Sequence, residues 1–337
     1  MGGTAAHREG MIIVGSMRYD TTAALFDGTA SLPGYDIEMR SGSVVPEVFA
    51  RMIRDREFDI AELGLGFLLR VLEEEPGAFV AVPAFPNRVF RHSCVYVHTG
   101  SGIETPADLV GRTIGEFGMY SQDSGVWAKG ILADEYGFDP RRNRWVIGGL
   151  DTPMAPFDFV PQRRPEGVEI VAESERALGD LLAAGEIDAL FSANVPASHA
   201  GPGVRRLFED YVPVEQDWYR RTGLFPMMHA VVVRTDSLAA HPDLARAAYQ
   251  GFLDAKNLAR DHYLGAGRRL YQVHTMLPWA SRLAEDDVAL MGEDWWPYGI
   301  AANRAALDTF LRYQHEQGLS AHRFTVDEVF APDLLDT

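Results

Sequence analysis

With 337 residues, 47% of them hydrophobic and 23% charged, the chain is long enough for about two domains with a sizeable core. A formal net charge of -17 excludes the clustered positive surface that nucleic acid or anionic lipid demands, and no apolar run approaches the ~18 residues of a membrane span. Cys94 is the single cysteine, which excludes an intrachain disulfide; it sits in a strand-like stretch and reads as an inert core thiol.

The first ten residues are short of apolar character and run straight into a strand-like segment at 11–16. A secretory signal needs an apolar stretch of ~7–15 residues, so a cytoplasmic protein is expected. Residues 35–39 read as a second strand. Pro46 then opens a helix with Val45, Val48, Phe49, Met52 and Ile53 on one face. Residues 58–63 form the next strand, and 94–98 another after an irregular stretch. Residues 105–109 read as a short capped helix and 113–116 as a strand. Ser121 to Ser124 supply N-cap candidates for a helix reaching about Tyr136. Strands at 145–147, 168–171 and 187–191 follow, with a helix at 174–184 and a proline-rich irregular stretch at 153–165. The last third turns helical. A strand at 229–233 precedes a long helix over 243–263, with Leu244, Ala247, Ala248, Phe252, Ala255 and Leu258 near one face, then helices at 286–291 and 301–317.

Alternating strands and helices predict an α/β protein with a largely parallel sheet. Glu57-Phe58-Asp59-Ile60-Ala61 and Glu186-Ile187-Asp188-Ala189-Leu190 both lie between a helix and a strand, a short echo that two lobes of similar topology would leave. Several common motifs are missing: a Walker A loop, a Gly-x-Ser-x-Gly elbow and His-Glu-x-x-His. Gly64-Leu65-Gly66 follows a strand but lacks the third glycine of a dinucleotide fingerprint.

Other segments are more specific. They are Phe85 to Ser93 (Phe-Pro-Asn-Arg-Val-Phe-Arg-His-Ser), Gly118 to Gly130 with Tyr120, Ser121 and Trp127, Gly223 to His229 (Gly-Leu-Phe-Pro-Met-Met-His), and Trp296-Pro297-Tyr298-Gly299 followed by Asn303-Arg304. Together, over about residues 12–319, they resemble the 4,5-dihydroxyphthalate decarboxylase family. Ile103 to Arg112 is similar to a crossover common to solute-binding proteins. The resemblance implies a two-lobed, type 2 periplasmic-binding-protein-like α/β fold, each lobe a mixed sheet flanked by helices, with the ligand cleft between. Residues 1–98 and 230–337 would form one lobe and 99–229 the other. It implies decarboxylation of a hydroxylated aromatic carboxylic acid without a cofactor. The alternatives are a binding protein for an aromatic carboxylate in transport or sensing, and an enzyme of the same scaffold acting on a related ring.

Ligands of open α/β sheets bind beyond the carboxyl ends of strands, and two lobes set two such edges face to face. Glu62, the segment Arg88 to His92, the turn at Tyr120 to Ser124, Asn194 and His229 should therefore reach the cleft. Direct loss of CO2 would leave an aryl carbanion. A hydroxyl para to the carboxylated carbon opens another route: its electrons enter the ring, an acid protonates that carbon, and CO2 leaves. The site then needs a proton donor, a partner for the phenol and cations for carboxylates. Arg88 and Arg91 are expected on the carboxylates, and Ser121 and Ser124 to add donors at a helix N-terminus. His92 and His229 are expected to move protons, with Glu62 as acid or base if burial raises its pKa. Tyr120 and Tyr298 suit packing on a ring and Asn303 a hydroxyl, while Trp127 suits core packing and Arg304 an ion pair within its lobe. Each also has a structural reading, such as helix capping or loop support. The expected partner is a small aromatic carboxylate, without metal, nucleic acid or membrane; self-association stays open.

Overall fold

The computed structural model describes residues 10–266 and 275–337. The chain first lays down β1 (Met11–Gly15), α1 (Asp20–Phe26), β2 (Asp36–Arg40), α2 (Val45–Ile53), β3 (Ile60–Gly64), α3 (Leu65–Glu74) and β4 (Phe79–Val82). It then crosses over to β5 (Val95–His98), β6 (Thr113–Phe117), α4 (Asp123–Tyr136), β7 (Arg144–Gly148), β8 (Glu169–Glu173), α5 (Leu178–Ala183), β9 (Ala189–Phe191), β10 (Val204–Arg206) and α6 (Tyr211–Thr222). It returns with β11 (His229–Arg234), α7 (Thr235–Ala240), α8 (Leu244–Ala266), α9 (Ala280–Met291), α10 (Arg304–Glu316) and α11 (Val326–Val329). No helix among the described residues is long and apolar enough to cross a membrane.

Two sheets share one plan. The first runs β2-β1-β3-β11-β4 and the second β10-β5-β9-β6-β7-β8. In the first, β1 is parallel to β2 and β3, and β11 enters antiparallel between β3 and β4. In the second, β6 is parallel to β7 and β9, and β5 enters antiparallel between β9 and β10. Each lobe thus takes its antiparallel strand from chain that has just crossed. The sequence echo marks equivalent places. Asp59 accepts the N–H of Ile13 in β1 at 2.9 Å, and Asp188 accepts that of Thr113 at the head of β6, also at 2.9 Å.

Local sequence accounts for many of these elements. Pro46 in the first turn of α2 has its φ preset for the helix. Val48, Phe49 and Met52 bury that helix's apolar face, each contributing about 1.5–3 kcal/mol. α3 has no apolar stripe to read, because Leu65 through Leu72 are buried on every side. Leu258, expected on the buried face of α8, is exposed. The helix expected over 174–184 forms only as α5, since Glu173 first takes the N–H groups of Glu175 and Arg176 and turns the chain.

Two lobe assignments also change. β5, expected in the first lobe, belongs to the second sheet because it pairs with β9 and β10, so the crossing lies between β4 and β5. α10, expected with the first lobe, packs on α4. Arg312 and Tyr313 hold Asp134 at 2.6 and 2.7 Å, and Gln317 donates to Val126 O at 2.8 Å. The two crossings are tied to each other: Met228 N–H donates to Asn87 O at 2.9 Å, and Val89 N–H to Pro226 O at 3.2 Å.

Candidate functional site

The carboxyl ends of β1 and β3 share an edge with the start of β11, where His229 lies opposite Gly64. Glu62 is fully buried there. Its Oε1 accepts the Tyr19 hydroxyl at 2.9 Å and faces His229 Nδ1 at 2.5 Å; its Oε2 accepts the Ser16 hydroxyl at 3.0 Å and the Met17 N–H at 3.1 Å. These contacts surround one carboxylate, which accepts from the Tyr19 and Ser16 hydroxyls and the Met17 N–H and faces the imidazole. Glu62 thus fixes the place of His229 at this edge. Burial, and then the charge of Glu62, push the Tyr19 phenol far above its ordinary range, which keeps it a donor.

The bond at Nδ1 sets the imidazole's orientation and leaves Nε2 toward the opposite lobe. Phe49 packs edge-on against the ring at 5.0 Å. Across the cleft, α4 brings Asp123. Its Oδ2 stands 3.9 Å from His229 Nε2, and its Oδ1 accepts the N–H of Gly66, in the first turn of α3, at 2.5 Å. Burial raises the Asp123 carboxyl to about 6, against the opposing pull of His229. A Cβ on Gly64 would lie 2.3 Å from Asp123 Oδ2, and one on Gly66 2.6 Å from Ser121 O. The Gly64-Leu65-Gly66 stretch is thus the bare surface on which the second lobe rests.

Arg91 precedes β5 on the same edge. It is 6% exposed, its Nε donates to Met228 Sδ at 3.1 Å, and its terminal nitrogens make no hydrogen bond among the described residues. Burial lowers its pKa, while Cys94 and Asp123 act electrostatically in the other direction. The result is an anchored imidazole, a carboxyl and a buried cation gathered where two lobes meet. Hollows of about 220 Å³ beside α8 and α9 and about 230 Å³ between α4 and α10 are lined by residues other than Glu62, Asp123 and His229.

The chain is 35% identical over 322 residues to the 4,5-dihydroxyphthalate decarboxylase of Comamonas testosteroni, covering 95% of this chain and 96% of that one. The chain belongs to the 4,5-dihydroxyphthalate decarboxylase family. The enzyme of the same name from Pseudomonas putida is 31% identical over 207 residues, 58% of this chain and 76% of that one. No family model matches the chain. In fold it is similar to the alkanesulfonate-binding protein SsuA of Xanthomonas axonopodis pv. citri, with a TM-score of 0.55, 13% identity and coverage of 97% of this chain and 99% of that one. The periplasmic aliphatic sulphonate binding protein SsuA of Escherichia coli gives a TM-score of 0.53 at 12% identity, covering 96% and 92%. This member of the 4,5-dihydroxyphthalate decarboxylase family therefore has the periplasmic-binding-protein fold.

The remaining expected site residues of this family member divide sharply. Ser121 and Ser124 flank Asp123, buried, and neither hydroxyl makes a hydrogen bond among the described residues. Gln122 is the N-cap of α4, and no side chain caps that helix, so the serines are not capping groups. Arg88 is turned away from the cleft: it donates to Pro297 O at 3.1 Å and to Asn303 Oδ1, with its guanidinium over Phe85 and Phe225 at 5.5 and 5.0 Å. Asn303 spends its amide on Pro297 O and Gly299 O at 2.9 and 2.8 Å. Both stitch the 297–303 loop to the crossing. His92 is also separate from His229. Its ring packs edge-on against Phe208 and Trp218 at 5.3 and 5.8 Å, and burial lowers its pKa to about 4, so it stays neutral as a core group.

Tyr120 lies inside the second lobe, edge-on to Trp145 at 5.1 Å with Lys129 Nζ 4.0 Å from its ring centroid, and so does not face a ligand. Tyr298 is buried edge-on to Phe85 at 6.2 Å, behind Glu62. Asn194 is exposed in the loop after β9. Trp127 fills the core and donates to Met227 O at 2.8 Å. Cys94 is buried, its thiol pushed up to about 12 by that burial. Among the described residues no three His, Cys, Asp or Glu side chains are grouped to hold a metal ion. Ser16 and Tyr19 were not expected, and Asp123 was expected only as part of the turn at Tyr120 to Ser124. Ser16 and Tyr19 follow the carboxyl end of β1, and Asp123 lies between the two serines, so the strand-end rule reaches all three once it is applied to every strand.

Proposed function

We propose that the protein is a decarboxylase that acts on 4,5-dihydroxyphthalate or an aromatic acid with the same para relation between hydroxyl and carboxylate. The Glu62–His229 pair carries this reading. A binding protein needs no imidazole held by a buried carboxylate, whereas a proton-transfer enzyme uses one. Membership of the decarboxylase family supports it.

In the proposed reaction Arg91 holds a carboxylate of the ring by charge-assisted hydrogen bonds. His229, protonated and stabilised by Glu62, gives its Nε2 proton to the ring carbon that bears the departing carboxylate. Electrons from the para hydroxyl enter the ring as that hydroxyl loses its proton. The bond to the carboxylate then breaks, CO2 leaves, and the electron pair restores aromaticity as the oxygen is reprotonated. One proton is consumed for each CO2, and His229 recovers it from solvent when the lobes open. From 4,5-dihydroxyphthalate the product is 3,4-dihydroxybenzoate. Incubating the purified protein with this acid, and following CO2 and ring absorbance, tests the proposal. Turnover supports it. A ligand-induced rise in melting temperature without CO2 would assign the chain to solute binding instead.

A further inference from the structure

We propose that the unliganded site carries its own carboxylate: Asp123 occupies the subsite that receives a carboxylate of the substrate, and substrate enters by displacing it. This rests on the decarboxylase reading only for the identity of the ligand.

Three features converge on the Asp123 side chain. The N–H of Gly66, in the first turn of the ten-residue helix α3, donates to Oδ1 at 2.5 Å, where the free amides and the helix dipole favour an anion. His229 Nε2 faces Oδ2 at 3.9 Å, and that oxygen makes no hydrogen bond among the described residues. Arg91 lies within electrostatic reach, buried, with no carboxylate in ion-pair contact among the described residues. A buried guanidinium without an anion in contact is costly, and a ligand carboxylate is the group that relieves it. Amide, imidazole and guanidinium are donors suited to one carboxylate, and Asp123 holds the place.

Asp123 comes from the second lobe and Gly66 from the first, so their contact exists only while the lobes are shut. Gly64 and Gly66 admit it because neither carries a Cβ, which would fall 2.3 Å from Asp123 Oδ2 and 2.6 Å from Ser121 O. An incoming carboxylate cannot share the space. It would also stand as a third negative charge beside Glu62 and Asp123, which repulsion disfavours. The self-contact and the ligand therefore compete, and the closed empty form lowers apparent affinity by the fraction of molecules it ties up.

Calorimetric titration with phthalate, which has both carboxylates but no hydroxyl to drive turnover, tests this. Catechol serves as the carboxylate-free control. Asp123→Ala and Asp123→Asn should each bind phthalate tighter than the unaltered protein, by roughly tenfold, and bind catechol no better. Unchanged or weaker phthalate binding in the folded variants overturns the proposal. So does an equal gain for catechol, or an absence of phthalate binding to all three proteins. Turnover of the hydroxylated acid is measured separately. Its absence would sink the decarboxylase reading while a selective gain for phthalate still upheld the subsite.

Discussion

Replacing Glu62 by glutamine keeps the size of the side chain but puts an NH2 group against the Met17 N–H, the Tyr19 and Ser16 hydroxyls and the imidazole. His229 then loses its fixed orientation and the charge that stabilises its protonated form. Turnover in Glu62→Gln should fall by about 10²–10⁴-fold, with phthalate affinity little changed. His229→Ala should fall by a similar factor. His92→Ala should keep its rate within about twofold and instead lose about 1–3 kcal/mol of stability, because it opens a gap against Phe208 and Trp218. Rates of CO2 release and urea melts separate the two classes of effect. The sequence set Arg91 and His92 side by side as candidates for one cleft, and the short 3-10 turn at His92–Cys94 turns His92 into the core against Phe208 and Trp218. Glu62 and His229 were legible from their place at strand ends. That Glu62 is ringed by Ser16, Tyr19 and His229 was not, because Ser16 and Tyr19 lie more than 40 positions away.

At the scale of elements, the contact between the first turns of α3 and α4 decides whether the site closes. In Gly66→Ala the added carbon would meet Ser121 O at 2.6 Å, backbone that cannot swing aside. The lobes should then rest further apart, with an increased radius of gyration by small-angle scattering in the presence of phthalate. kcat/KM should fall by up to about 10²-fold, as displacement of a reacting group by an ångström does. Retained closure and rate would remove the two glycines from the argument. α2 and α4 were readable in sequence because one has an apolar stripe and the other ends at Gly137, which takes the left-handed conformation at φ 68°. α3 and α6 were not. The first is buried on every side from Leu65 to Leu72, and the second buries little beyond Glu215 and Trp218.

The whole molecule has buried acids that should shape its stability against pH. Burial raises the Asp123 carboxyl to about 6, and raises that of Glu116 to about 7 despite the opposing pull of Lys129. Both would titrate near 4 in the unfolded chain. The native state holds more protons than the unfolded one between these values. Their contribution to stability is therefore fully present below about pH 4 and lost as the pH rises through 6 to 7. Carboxyls held low by partners, such as Glu57 beside Arg51 and Arg40, lose their contribution only in stronger acid. Urea melts should show a maximum at mildly acid pH, and Asp123→Asn should flatten the fall from pH 5 to 7 by on the order of 1 kcal/mol. At this scale the alternation of elements made an α/β fold legible, and the two-lobed plan came from the family resemblance, with which the paired Asp59 and Asp188 agree. Which lobe owns β5 and α10 was not, since that depends on pairing and packing between distant stretches of chain. The most direct test of the account is turnover of 4,5-dihydroxyphthalate in D2O, with the aromatic product examined by NMR. One CO2 per ring, deuterium at the vacated carbon and collapse of the rate in His229→Ala are the predicted results. Ligand binding without CO2, or a full rate in His229→Ala, would contradict it.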